Sequence, residues 1–311
     1  MTSVACDNRI RESLMQFSPP TLAALGEKLK SDIDAYCVKA YSDGHRSHLG
    51  ASLIGHECSR HLWYVFRWAK HEQFDARMLR LFNRGHREEE RFIEWLRGIG
   101  WEVSNSPGPW TQACPNESDL PQHRVSAVMG HFGGSLDGMA RPEEKLHPIE
   151  DDADAFLLEF KTSGTGAGFK ASCENGVRRA KPKHWAQMCV YGTLRKLKYA
   201  LYFIINKNDD DFHCEVIELD WTYGNELVGK AHAIIMSQEP PQRIAQTPAF
   251  HVCKFCSHQG ICFRDEPMEK NCRSCTFARP VKDAQWHCGK FENVIPKDFL
   301  PKGCPDWTQI A

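Results

Sequence analysis

Seven of the fourteen cysteines crowd between Cys253 and Cys304, in a stretch rich in proline and lysine and poor in apolar residues. Too little apolar material remains there to build a core, so a bound metal is expected to hold this tail together. Disulfides are the rival cross-link. The opening segment Met1 to Arg11 carries Asp7, Arg9 and Arg11 without an apolar core, so neither a secretory signal nor a membrane anchor is expected. No later apolar run is long enough to span a bilayer. In a reducing cytoplasm, the location this reading implies, thiols stay available for metals or catalysis.

The cysteines fall into two groups. Cys253-x-x-Cys256, followed by Cys262, offers three thiolates in one loop and needs a fourth from elsewhere. Spacing alone leaves zinc and an iron-sulfur cluster equally open for this group. Cys272-x-x-Cys275, then Cys288 and Cys304, reads as a four-cysteine zinc knuckle or ribbon, with His287 a possible substitute for Cys288. Free thiols in a disordered tail are the plainer alternative. Cys189 and Cys214 lie in apolar patterns and read as core residues.

At 311 residues with 41% apolar content, the chain suits one main α/β domain with small appendages. Residues 1–45 read as a helical lead-in, with Leu22, Leu25, Leu29 and Ile33 three or four apart. A helix is expected near Cys58, carrying Leu62, Val65 and Phe66, and a longer one over Ala76 to Gly98 with a glycine stop. The period then changes. Trp101 to Val103 resembles a short strand, Val125 to Arg141 a glycine-broken pair of strands, and Phe156 to Lys161 a largely buried strand. The acidic run Glu150 to Asp154 reads as a solvated loop. Lys183 to Leu197 returns to helical spacing, before apolar strands at Tyr199 to Asn206 and Phe212 to Leu219. This order predicts a mixed central sheet flanked by helices over 46–265, with the cysteine-rich tail at 266–311.

The strand Phe156-Leu157-Leu158-Glu159-Phe160-Lys161 carries a carboxylate and an ammonium two residues apart, hence on one face, inside an otherwise apolar run. Burying such charges is costly without a task, although a solvated, salt-bridged edge strand is the plainer reading of an isolated E-x-K triplet. Asp137, in Gly133-Gly134-Ser135-Leu136-Asp137-Gly138, supplies a second acid from a neighbouring strand. Two carboxylates and the Phe160 carbonyl are the oxygen donors that a hard cation such as Mg²⁺ prefers, and such a cation is what phosphodiester hydrolysis requires. Upstream, Gly85-His86-Arg87-Glu88-Glu89 places an acid four residues after a glycine. Downstream, Gln187 and Tyr191 stand at i and i+4, on one face of a helix.

The succession G-x-x-x-(E/H), G-x-x-D, E-x-K and Q-x-x-x-Y, from about Gly85 to Leu219, resembles the RecB-like and lambda-exonuclease-like branch of the PD-(D/E)XK nucleases. The resemblance implies a restriction-endonuclease-like fold and a Mg²⁺- or Mn²⁺-dependent deoxyribonuclease, an exonuclease of recombination or DNA end processing. It implies Asp137 and Glu159 as metal ligands, Lys161 as the group orienting the attacking water, Glu89 as the acid preceding the strands, and Gln187 and Tyr191 as helix residues near the DNA backbone. His86 rivals Glu89 but is out of register by three residues. The long acidic stretch between Asp137 and Glu159 departs from the short hairpin of many relatives. The resemblance extends to the AddB-type iron-sulfur nucleases, in which one cysteine precedes the core and three follow it. It thus implies Cys58 as partner of Cys253, Cys256 and Cys262 around a 4Fe-4S cluster. Such a link encloses the whole core, a loop closure worth about 5 kcal/mol by analogy with a disulfide.

The formal net charge of -1 excludes a polycation that coats nucleic acid throughout and leaves room for a local basic groove. Arg84, Arg87, Lys170, Arg178, Arg179, Lys181 and Lys183 are candidate phosphate contacts, and Trp185 a candidate base-stacking partner. A solvated surface is the plainer reading of the same charges. DNA ends are the expected partner, with a recombination protein as a second. A catalytically silent, metal-stabilised nucleic-acid-binding or scaffold protein is the alternative function, and an iron-sulfur electron carrier a poorer one because it gives Asp137, Glu159 and Lys161 no task.

Overall fold

The computed structural model describes residues 19–106, 122–143, 155–164 and 166–310. The opening segment Met1 to Arg11 and the acidic run Glu150 to Asp154 lie outside them. The chain divides into two units, residues 1–44 with 73–84 and residues 45–72 with 85–311. In the first, helix α1 (Pro19–Tyr41) presents Leu22, Leu25, Leu29 and Ile33 as exposed side chains. Asp34 on this helix pairs with Arg80.

In the second unit, α2 (Ser59–Phe66) follows the short strand β1 (Leu49–Gly50). Cys58 caps it, its sulfur accepting the His61 N–H at 3.4 Å. The long helix α3 (Ala76–Gly98) contributes its residues from Gly85 onward to this unit. The strands that follow are β2 (Trp101–Ser104), β3 (Arg124–Ala127), β4 (Phe132–Ser135), β5 (Gly138–Pro142) and β6 (Phe156–Ser163). Next come helices α4 (Gly166–Ala180) and α5 (Pro182–Arg195), strands β7 (Tyr199–Asn206) and β8 (Phe212–Glu218), and helix α6 (Trp221–Met236).

The main sheet runs β2-β5-β6-β7-β8, with β6 and β7 parallel and the other pairs antiparallel. This mixed sheet flanked by helices is the architecture expected from the order of elements. Alternation along β6 sorts its side chains between two cores. Phe156, Leu158 and Phe160 pack with Phe92, Ile93 and Leu96 of α3. Leu157 faces the other way, into the core shared with Ala186, Met188 and Val190 of α5. Glu159 and Lys161 have the parity of Leu157, which sets them toward α5.

Two expectations need correction. The stretch Val125 to Arg141 is three strands rather than two, and they belong to different sheets. β3 and β4 pair with each other and with β1, whereas β5 joins the main sheet. The chain changes sheets at Leu136 and Asp137, so Asp137 sits on a crossing between strands. Cys214 is exposed, not a core residue, because β8 is an edge strand on which Ile217 alone is buried. Cys189 is buried as expected.

Beyond α6 lie the short helices α7 (His251–Lys254) and α8 (Gln259–Arg264), then an antiparallel meander of β9 (Ala278–Pro280), β10 (Trp286–Cys288) and β11 (Asn293–Ile295). Two buried arginines fasten this tail to α2. Arg67 donates to Ser237 O at 3.0 Å and Ala278 O at 3.1 Å. The Arg273 guanidinium is fully buried, with the rings of Phe66, Trp68 and Trp286 centred 4.4–4.7 Å away, and donates to the carbonyls of Arg46 and Ser47. Aromatic faces and carbonyl oxygens offset part of a burial cost that, with the Arg67 charge, still pushes the Arg273 pKa down.

Candidate active site and cysteine sites

The β5–β6 ladder ends at the pair Gly138↔Leu158. Past that point the Asp137 side chain takes over the pairing, its Oδ2 accepting the Phe160 N–H at 2.7 Å. The sheet crossing thereby brings Asp137 beside Glu159 and Lys161. The Lys161 ammonium forms an ion pair with Glu159, lies 3.8 Å from Asp137 Oδ2, and donates to the Phe160 carbonyl at 3.0 Å. Three oxygen donors of the expected metal set thus converge on one cation, here the protein's own ammonium group. That convergence is the test of fit for a divalent ion, and the hard oxygen donors suit Mg²⁺ or Mn²⁺.

Glu159 has no exposed side-chain surface. Its second oxygen accepts from Gln187 Nε2 at 3.1 Å, so both carboxylate oxygens are engaged. Burial pushes this carboxyl up, opposed by the Lys161 charge and assisted by Asp137. For Lys161, burial works against the charge, yet Glu159 and Asp137 outweigh it and hold the ammonium protonated. Glu89, half-buried on α3, is raised to about 7 by burial and then by the Asp137 charge, with Lys161 opposing. Tyr191, one turn beyond Gln187, is buried, and its hydroxyl is pushed up by burial and by the charges of Glu159 and Asp137. Gly134 accommodates it, because a Cβ there would overlap the Tyr191 hydroxyl. Glu89, Asp137, Glu159, Lys161, Gln187 and Tyr191 therefore form one electrostatically coupled group.

His184 and Tyr202 border this group and were not singled out from sequence. His184 Nδ1 lies 2.8 Å from the Tyr202 hydroxyl, and Tyr202 stands opposite Glu159 in the β6–β7 register. Burial, then the Lys161 and Lys181 charges, lowers His184 to about 3 and keeps it neutral. The signal was present: His184 lies three residues before Gln187 and so near its helical face.

The basic candidates are dispersed. Arg84 is exposed in the first unit, and Arg87 is exposed on the second unit's part of α3. Lys170 is exposed and 3.6 Å from Glu174. Arg178, Arg179, Lys181 and Lys183 follow one another where α4 passes into α5, the first two and Lys183 exposed and Lys181 half-buried. Trp185 is only 7% exposed, and the Arg178 guanidinium lies 5.1 Å from its ring centre. Base stacking on Trp185 therefore requires Arg178 to move aside.

Both cysteine groups converge. Cys58, Cys253, Cys256 and Cys262 line one cavity beside α2, α7 and α8. Burial raises the thiols of Cys253 and Cys256; at Cys256 a hydrogen bond with the His258 backbone opposes it, and the charges of Cys58 and Cys262 add to it at both. His56, His61 and His258 share this cavity. Cys272, Cys275, Cys288 and Cys304 line a second cavity, against the β9–β11 meander. There burial, followed by the charges of Cys304, Cys275 and Cys288, pushes the Cys272 thiol up to about 11. Each set of four thiols lines one cavity, and thiolate is the donor that zinc and iron-sulfur centres take.

No helix among the described residues is long and apolar enough to cross a membrane. No protein-family profile matches the chain, and no curated protein does. Among solved structures, the fold is similar to the alkaline exonuclease LHK-Exo of Laribacter hongkongensis, at 15% identity and a TM-score of 0.40 over 66% of this chain and 90% of that one. The complex of LHK-Exo with dAMP gives a TM-score of 0.41 at the same identity and coverage. The structure of SSO0001 is similar at 15% identity and a TM-score of 0.42, over 77% of this chain and 98% of that one.

Proposed function

We propose that the chain is a PD-(D/E)XK deoxyribonuclease that hydrolyses phosphodiester bonds at DNA ends in the presence of Mg²⁺ or Mn²⁺. The observation that carries this reading is the convergence of Asp137, Glu159 and the Phe160 carbonyl on the Lys161 ammonium. Asp137, Glu159 and Phe160 O would hold the divalent ion, which supplies charge neutralisation for the phosphate and acidifies a water. Gln187 fixes the plane of the Glu159 carboxylate. Lys161 keeps its proton at Nζ, where it orients the attacking water and meets the charge developing on the phosphate. Glu89, near neutrality at about 7, is suited to pass a proton. Tyr191 and the Arg178 to Lys183 corner take the DNA backbone, with Arg87 and Lys170 as further contacts.

In the same reading, Cys58, Cys253, Cys256 and Cys262 would hold a 4Fe-4S cluster with a structural task, and Cys272, Cys275, Cys288 and Cys304 a zinc ion. The work of such an enzyme is end processing in recombination or repair, beside a partner that supplies or takes over the processed strand. The test is digestion of end-labelled single-stranded and duplex DNA by the wild type and Glu159→Ala, in Mg²⁺ and in Mn²⁺. We expect shortening by the wild type and at least about a 100-fold loss in the variant. Equal digestion by both removes the assignment of the site. Wild-type binding without cleavage in either metal leaves the catalytically silent nucleic-acid-binding alternative.

A further inference from the structure

The cavity beside α2 contains a second donor set that the four thiols do not explain. His61 enters it from the first turn of α2, while Cys256 and His258 enter from the loop between α7 and α8. His61 Nδ1 lies 3.2 Å from His258 Nδ1 and 3.5 Å from Cys256 Sγ. All three donor atoms fall within 4.8 Å of one another. Metal bonds of about 2.0 Å to nitrogen and 2.3 Å to sulfur, at tetrahedral angles, separate the donors by about 3.3 Å for N···N and about 3.5 Å for N···S. The observed spacing therefore matches one mononuclear ion.

The neighbouring His56 is committed elsewhere, its Nδ1 accepting the Cys58 N–H at 3.0 Å. A neutral imidazole offers one ring-nitrogen lone pair. We propose that His61 Nδ1, Cys256 Sγ and His258 Nδ1 form a binding site for a single tetrahedral transition-metal ion of the zinc class. Cys256 belongs to both donor sets, so this ion and a four-thiolate cluster exclude each other. Three protein ligands leave one tetrahedral position open to exchange. The site is thus a holding state of the cavity before cluster assembly or after cluster loss, keeping α2 clamped to the α7–α8 loop. The ion site stands apart from the nuclease reading, and its role as a holding state rests on the iron-sulfur reading.

The probe is Co²⁺, titrated without oxygen into the full-length, chelator-stripped chain, with visible ligand-field and thiolate charge-transfer bands as readout. His61→Ala and His258→Ala should each weaken one equivalent of Co²⁺ by at least about tenfold. Cys256→Ser should remove the charge-transfer band of that equivalent, and Cys253→Ser should leave it in place. Undiminished binding in the His61→Ala/His258→Ala double variant overturns the proposal, as does a Cys253→Ser loss equal to that of Cys256→Ser. Should a histidine variant melt early, cobalt-edge X-ray absorption on the wild type decides: imidazole scattering supports the site and sulfur-only scattering overturns it. Reconstitution with iron and sulfide is a separate arm. Failure to form a chromophore there sinks the cluster reading and leaves the cobalt result intact, whereas a chromophore formed with all cobalt retained overturns the mutual exclusion.

Discussion

In the main sheet, Glu159 and Lys161 stand on a strand whose neighbours Phe156, Leu157, Leu158 and Phe160 are buried apolar side chains. In the tail, Cys288 stands at the end of a three-residue strand, and Cys272, Cys275 and Cys304 stand outside any helix or named strand. The sheet would keep its shape without its charged pair, since strand pairing and two apolar cores already determine it. Among the described residues, the tail's buried apolar side chains Met268, Ala278, Trp286, Leu300 and Ile310 join the core of the main body rather than forming one of their own. In the first region the scaffold bears the cost of the donors, and in the second the donors with their ion are part of the scaffold.

The difference can be broken by substitution. Glu159→Gln should lower DNA cleavage about 1,000-fold while lowering the apo Tm only slightly, because Asp137 remains beside the Lys161 ammonium. A large fall in Tm would mean that the pair is structural. Cys272→Ser combined with Cys304→Ser should have the reverse profile, with about one zinc fewer per chain and rapid trypsin cleavage after residue 266. Metal analysis and limited proteolysis check this, and unchanged resistance would put the tail on the same footing as the sheet.

A third prediction concerns pH. The folded chain holds the Glu89 proton up to about 7, against 4.5 for an unperturbed carboxyl. At this group the unfolded chain binds fewer protons in that window, so Glu89 contributes stability that is lost as pH rises from 4.5 through 7. The buried neutral His61, His184 and His258 act in the opposite sense. Without divalent ions the Tm of Glu89→Gln should therefore rise relative to that of the wild type as pH goes from 4.5 to 7, and a constant difference between the two would remove Glu89 from the pH dependence. The smallest effect is expected on the surface. Charge reversal of Arg178 and Arg179 should reduce the slope of log affinity against log salt by about 1 to 2, measured by DNA binding at several salt concentrations. An unchanged slope would exclude this corner from the groove.

Much of the architecture was readable before any coordinates. The E-x-K strand, the helix bearing Gln187 and Tyr191, and α3 from Ala76 to Gly98 are local patterns, in which the period of apolar residues reports which faces are covered. The cysteine spacings are local in the same sense. The passage of Asp137 between two sheets was not legible, because the glycines around it mark a break without saying which strands lie on either side. Nor was the exposure of Cys214, since an edge strand and a central strand can share one apolar pattern.

What the sequence by itself determined is the identity and local order of the donors: a glutamate and a lysine on one face of a strand, thiols in paired spacings, a glutamine and a tyrosine on one helical face. What only the tertiary structure decided is which of them meet. His184 with Tyr202, His61 with Cys256 and His258, and Arg273 inside its ring of aromatics are partnerships between segments far apart in the chain. Their distances follow from how sheets, helices and loops pack, and a pattern confined to a few turns or one strand contains no term for that packing.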